Sequence, residues 1–329
     1  MPIYRKLLKV IRVRGLTSLK DIIDAQKKSY IIASYCLRLF YAFGFYFLAL
    51  YINELGAWLM LNEIHPLWPV FWVNLTGIRT GVIIILLLFT SSTIFATAFP
   101  GKRILRTLYF IGLFQFIAFS YSIQGFGHSL HAWIAVAFMF IFIPDEKKSP
   151  TLFNRHIFLT TFLGSQILVT LFYSLSGFWK LYYGVIQLLN GEVNSFSPYA
   201  LSYHIAYRLH QTNSSSMLGE FFISHPFISW PCYLLILYLE VFSIVAVFRP
   251  TVHRIWGFLL ILLHLGSYFT LTIIFKQTIL LIGFLFICSP FIKFEKGIKE
   301  SIIELPLINV ITTQALKFTK KFKLINEQI

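Results

Sequence analysis

Lys180 is the residue with the most chemical promise. It follows an apolar run in the stretch Tyr173-Ser174-Leu175-Ser176-Gly177-Phe178-Trp179-Lys180-Leu181-Tyr182-Tyr183-Gly184. A lysine desolvated among Phe178, Trp179, Tyr182 and Tyr183 keeps its neutral amine, the form that acts as a general base on a weakly acidic hydroxyl. The same position suits an interfacial lysine in an aromatic belt, so both readings stand. Ser176 and Gly177 would let a neighbouring helix or a flat ligand approach closely. His128 and His131, three residues apart beside Trp133, share one helix face. HxxH can be half of a metal site, but no second pair has matching spacing, and His204, His210 and His225 are scattered in one long linker. No metal is therefore expected, and a hydrogen-bonding or proton-relay histidine is.

Glu240 and His264 stand in the middle of consecutive apolar runs. Ionisable groups at that depth are costly and mark function or pairing. On antiparallel helices they could satisfy one another, as a structural bridge or as part of the chemistry. Arg38 lies a turn or two inside the first run, either snorkelling to the interface or in an internal ion pair. Arg79 opens the second run as a boundary residue. The chain has no P-loop, GxGxxG, GxSxG or HExxH motif, which leaves kinase, nicotinamide and hydrolase chemistry without support.

The elements that must position these groups are membrane helices. Of the 329 residues, 57% are hydrophobic and only 12% charged, with a mean hydropathy of +0.73, whereas a soluble domain carries roughly 25% charged residues. Apolar runs over 31–52, 78–99, 104–124, 128–144, 157–178, 227–248, 254–275 and 277–292 approach the ~20 residues that cross a bilayer core. The expectation is an all-α polytopic membrane helix bundle of about eight transmembrane helices, with 128–144 and 277–292 the shortest. The linker 179–226 reads as an interfacial or re-entrant helix followed by a loop.

Linkers 100–106 (Lys102, Arg103, Arg106), 145–156 (Lys147, Lys148, Arg155) and 249–253 (Arg249) are basic, whereas 53–77 has no Lys or Arg. This alternation places both termini in the cytoplasm and Lys180 and His128 on the exterior side. The net charge of +15 is concentrated in 1–28 and 293–329, so it reads as topogenic and lipid-attracting rather than as a nucleic-acid surface. Three segments follow: a basic amphipathic cytoplasmic or interfacial segment over 1–29, with 3–23 lying on the membrane surface; a transmembrane domain over 30–292; and a basic cytoplasmic tail over 293–329. Cys36, Cys232 and Cys288 read as small buried hydrophobes.

Taken in order, Arg38, His128-Ser129, Tyr173-x3-Gly177-x2-Lys180-Leu181, Glu240 and Leu263-His264 resemble the HTTM superfamily. These are membrane proteins related to the vitamin K-dependent gamma-carboxylase. The resemblance covers most of 30–292, and its most specific piece is Gly177–Leu181. It implies an integral membrane enzyme in a bacterial inner membrane, with a pocket open to the exterior and a reduced quinone as cofactor. Lys180 would be the base and His128 an oxyanion-stabilising or proton-relaying partner. Trp179, Tyr183, Tyr173 and His131 would bind the quinone, and Arg38, Glu240 and His264 would support the site. Trp179-Lys180 stands where the family has two adjacent lysines, and the basic stretch 293–329 carries no expectation of the family's large β-rich domain. Propeptide carboxylation is therefore not expected. The substrate would be a small molecule or a secreted peptide, with membrane lipids and the quinone as partners. The alternative is a non-catalytic binding or maturation partner for a secreted peptide or lipid.

Overall fold

The computed structural model describes residues 19–125, 127, 130–145, 150–291, 298–310, 312 and 314. Among them the chain is helical without strands, an all-α membrane protein. The helices are α1 (Leu19–Leu59), α2 (Trp72–Thr76), α3 (Ile78–Ala98), α4 (Arg103–Gln124), α5 (His131–Phe140), α6 (Leu152–Leu189), α7 (Ala200–Thr212), α8 (Met217–Ser224), α9 (Pro226–Ala246), α10 (His253–Leu271), α11 (Lys276–Ile282) and α12 (Ile298–Ile303). Six of them, α1, α3, α4, α6, α9 and α10, are long and apolar enough to cross a membrane. The two shortest expected spans become short helices. At about 1.5 Å per residue, the 10 residues of α5 reach about half of a hydrocarbon core, and α11 passes into a π-helical turn at Gly283–Ile287. Of the expected surface helix over 3–23, only residues 19–23 are described, as the start of α1.

The chain forms two compact units whose boundary, between Val169 and Thr170, falls inside α6. The first unit is built on aromatic packing among α1, α3, α4 and α5. Trp133 stacks on Phe40 at 5.0 Å and meets Phe47 edge-on at 4.9 Å. Small residues allow this closeness: a Cβ on Gly112 would stand 2.9 Å from Ser92 Oγ and 3.0 Å from Phe89 Cα.

Arg106, expected as a loop charge, is instead fully buried. It donates to Pro100 O at 2.8 Å and to Ile143 O, and its guanidinium lies 3.6 Å from Asp145. It thus joins the α3–α4 turn to the end of the α5 segment by placing a cation on two backbone carbonyls. Arg106→Met is expected to cost about 3 kcal/mol, because charge-assisted bonds are lost and buried carbonyls are stranded. Chemical unfolding in detergent measures this.

In the second unit, α9 and α10 are tied by Trp256, whose Nε1–H donates to Ser243 Oγ at 2.9 Å. His253 is buried between Val247 O and Ser289 Oγ, each 2.8 Å away. The described part of the C-terminal segment docks on the end of α9. There, Arg249 donates to Glu304 O at 2.5 Å and Tyr238 OH to Pro306 O at 2.7 Å. Ser216 caps α8 by accepting from Gly219 N–H at 2.9 Å, and Leu201, Ile205 and Leu209 form the buried stripe of α7. None of the cysteines forms a disulfide, and only Cys36 is buried as expected. Cys232 and Cys288 are exposed, because each falls on an outward face of its helical segment.

Candidate functional site

The site is built on the second half of α6. Tyr173, Gly177, Lys180 and Gly184 recur every three or four residues and so share a face, with Ser174 three residues before Gly177 on its edge. That face meets α9 closely because residue 177 has no side chain: a Cβ there would stand 2.7 Å from Val241 N and 2.9 Å from Glu240 Cβ. One turn earlier, buried Ser174 inserts its hydroxyl beside the α9 backbone. It shares a donated bond between Glu240 O and Val241 O, each at 3.1 Å, and accepts from Ile244 N–H at 2.9 Å.

With the two backbones this near, Lys180 Nζ reaches Glu240 Oε1 at 2.5 Å. The Lys180 side chain is 36% exposed and that of Glu240 only 7%. The Ser176 hydroxyl also interacts with the carboxylate. Tyr173 OH is hydrogen-bonded to His264 Nε2, and Phe275 packs 4.9 Å from the His264 ring. Among the described residues, Glu240 Oε2 and His264 Nδ1 have no partner within hydrogen-bond geometry.

Glu240 and His264 therefore do not satisfy one another, as their depth suggested; each takes a partner on α6. α6 also continues unbroken to Leu189, so Lys180 lies within a helix and not at its end. The aromatic residues expected around the lysine point elsewhere. An α-helix turns about 100° per residue, which carries Trp179, Tyr182 and Tyr183 off the α9-facing side. They pack on one another with centroids 4.7–5.9 Å apart and remain exposed, as does Phe178. The ring-lined lysine of the sequence reading is thus an ion-paired lysine beside an aromatic surface patch.

Three neighbours escaped the sequence reading. Ser195 Oγ donates to Lys180 O at 3.0 Å and lies 3.4 Å from Tyr233 OH. His204 of α7 stands with its ring 5.9 Å from Tyr233. Partial burial, then the Lys180 charge, hold its imidazole below the ordinary histidine value, so it is neutral at neutral pH. The apolar stripe of α7 could have located that helix, but nothing local to Ser195 or His204 names Lys180 as a neighbour.

The remaining nominated residues belong to the first unit or are not described. His131 is half-buried with its ring 5.8 Å from Tyr121. Arg38 is exposed on α1 and has no ion pair among the described residues. His128 lies outside the described residues. Among the described residues, no group of three or more His, Cys, Asp or Glu could hold a metal ion. Compared with known proteins, the chain matches no family model, no curated protein and no solved structure.

Proposed function

We propose that this protein is an HTTM-type integral membrane enzyme that removes a hydroxyl proton from a reduced quinone, with Lys180 as general base, in the oxidation or modification of a small molecule or peptide. The observation that carries this reading is the 2.5 Å contact between Lys180 and Glu240. An ammonium is not a base, and Glu240 supplies what Lys180 lacks: an adjoining acceptor to which it passes its own proton. Glu240, whose side chain is only 7% exposed, is poorly hydrated as an anion, which lets the neutral amine–acid pair compete with the ion pair. The amine then takes the hydroxyl proton, and the restored ammonium stays beside the resulting anion. A reduced quinone, when bound, supplies an acidic hydroxyl and two electrons. The residues present fit such a group in their chemistry, since Glu240 Oε2 is a buried acceptor with no donor in hydrogen-bond geometry among the described residues. The proton-relay role of His128, the bacterial inner membrane and the exterior-facing pocket complete this reading and rest on the resemblance and the loop charges.

One observation favours the alternative of a non-catalytic binding or maturation partner. Lys180 and Glu240 already satisfy one another, and the aromatic patch beside them is free to meet a lipid or peptide. The readings part in proteoliposomes supplied with a hydroquinone and dioxygen. Wild type is expected to consume the hydroquinone and Lys180→Ala to lose this activity at least about a hundredfold, the range of a positioned base. Equal consumption by a folded Lys180→Ala protein overturns the enzyme reading.

A further inference from the structure

We infer that the linker 67–76 dips into the hydrocarbon layer beside α4, covers part of that helix in place of lipid, and presents Trp68, Phe71 and Leu75 to the acyl chains. The inference is independent of the chemistry at Lys180.

α4 supplies the ruler. Its 22 residues, at about 1.5 Å each, reach about 33 Å, close to the ~30 Å of a hydrocarbon core. Exposed Lys102 and Arg103 hold one end at the headgroups. Gln115, twelve residues after Arg103 and nine before Gln124, is therefore about 18 Å from that end and about 13 Å from the other. The linker is bound at this depth. Trp72 Nε1–H donates to Gln115 Oε1 at 2.8 Å, and Gln115 Nε2 donates to Pro69 O at 2.9 Å. Trp68 packs on Phe114 with ring centroids 6.2 Å apart. Closer to the Gln124 end, Leu67 N–H donates to Ser122 Oγ at 2.9 Å. The linker thus runs along the side of α4 instead of lying beyond its end.

The surface of α4 shows what the linker replaces. Ile104, Leu108 and Ile111 form an exposed apolar stripe at three- and four-residue spacing, which on a spanning helix faces lipid. The same spacing leads on to Gln115 and Ser122, the two residues that bind the linker, and no α4 residue after Ile111 is exposed until Gln124. A glutamine left against hydrocarbon is costly, and the linker bonds both ends of its amide. The inner side of the linker is packed: Val73 is buried, and a Cβ on Gly81 of α3 would stand 2.7 Å from Val73 Cγ1. The outer side carries Trp68, Phe71 and Leu75 at 78%, 60% and 79% exposure, spaced as one helical face. This face takes the place of the covered stripe toward lipid.

Lipid is the occupant that the face fits. No charged residue and no histidine occurs over 66–77. The backbone bonds within the segment, as hydrocarbon requires, with Val70 N–H on Leu67 O at 2.9 Å and Asn74 N–H on Phe71 O at 3.2 Å. Polar Asn74 and Thr76 fall at the returning end, just before Gly77 and Arg79.

The test uses the unmodified full chain in phosphatidylcholine vesicles that include a phosphatidylcholine with a diazirine midway along one acyl chain. After photolysis, mass spectrometry of peptides is expected to find carbene insertion over 68–75 within about threefold of that at Ile104, Leu108 and Ile111, and at least about tenfold less over 61–65. Phe71→Cys and Glu63→Cys give a second reading. A charged maleimide admitted to both faces of the vesicle is expected to alkylate position 63 at least about tenfold faster than position 71, since a charged reagent partitions poorly into hydrocarbon. Peptide analysis separates these sites from the exposed Cys232 and Cys288, and unfolding midpoints check that both variants fold. Fast alkylation at position 71 with little carbene insertion over 68–75 places the linker in water and overturns the inference. Neither reaction at these positions means that protein, such as a second copy of this chain, covers the face, and this also overturns it.

Discussion

Lys180→Met destabilises the protein more than Glu240→Gln does. The two residues form one ion pair, but removing either side strands a different group. Lys180→Met leaves the Glu240 carboxylate in a position only 7% exposed, with Ser176 as its remaining neighbour and Oε2 already unpartnered. Glu240→Gln leaves an ammonium whose side chain is 36% exposed and can turn toward water. Breaking a fully buried pair costs 3–5 kcal/mol. The partial exposure of Lys180 reduces this to about 2 kcal/mol for Lys180→Met and about 1 kcal/mol for Glu240→Gln. In Lys180→Met/Glu240→Gln neither charge remains, so the double variant recovers much of the loss while remaining inactive toward a hydroquinone. Chemical unfolding of the four proteins in one detergent, read as a double-mutant cycle, measures the coupling. Additive losses, or a greater cost for Glu240→Gln, would remove the pair from its central place.

Gly177→Ala has the second large effect, and against the usual direction. Alanine is preferred over glycine within a helix by up to about 1 kcal/mol. Here the new methyl would stand 2.7 Å from the backbone nitrogen of Val241, an atom that cannot turn aside as a side-chain tip can. α6 and α9 must separate, and overpacking of this kind costs about 1–3 kcal/mol. The separation also lengthens the Lys180–Glu240 contact and loosens the bonds of Ser174 to Glu240, Val241 and Ile244. On the proposed enzyme reading, hydroquinone consumption falls by at least about tenfold, since small displacements at a reacting centre are costly. Gly266→Ala is the matched comparison, because its Cβ meets no atom within 4 Å. It should leave the unfolding midpoint unchanged or raised. Similar midpoints for the two variants would mean that residue 177 does not set the helix approach.

Particular residues show how far the chain could be read unaided. Gly177 was legible as a point of close approach, since with Ser176 it forms a pair of small residues in an apolar run, and the structure places α9 against it. Lys180, Glu240 and His264 were legible as a group because ionisable side chains at membrane depth are scarce. Their partners were not: periodicity separates the faces of a helix but does not state which neighbour each face meets. Arg106 shows the opposite error. Its basic-linker setting suggested a topogenic charge, whereas the turn folds over it and fills its donors with Pro100 and Ile143 carbonyls.

The sequence alone determined the class of molecule. Six helices are long and apolar enough to cross a membrane because hydropathy is a local sum over neighbouring residues, and the absence of strands among the described residues follows from backbone groups that must bond within their own segment in lipid. Tertiary structure decided the pairing. Lys180 joined Glu240, His264 joined Tyr173, and Trp179 and Tyr183 turned to the surface. These outcomes depend on how each helix is rotated about its axis and how deeply it is set against the next. Those two quantities are fixed by contacts between distant residues, here the fit of Gly177 and Ser174 against the backbone at Glu240–Ile244.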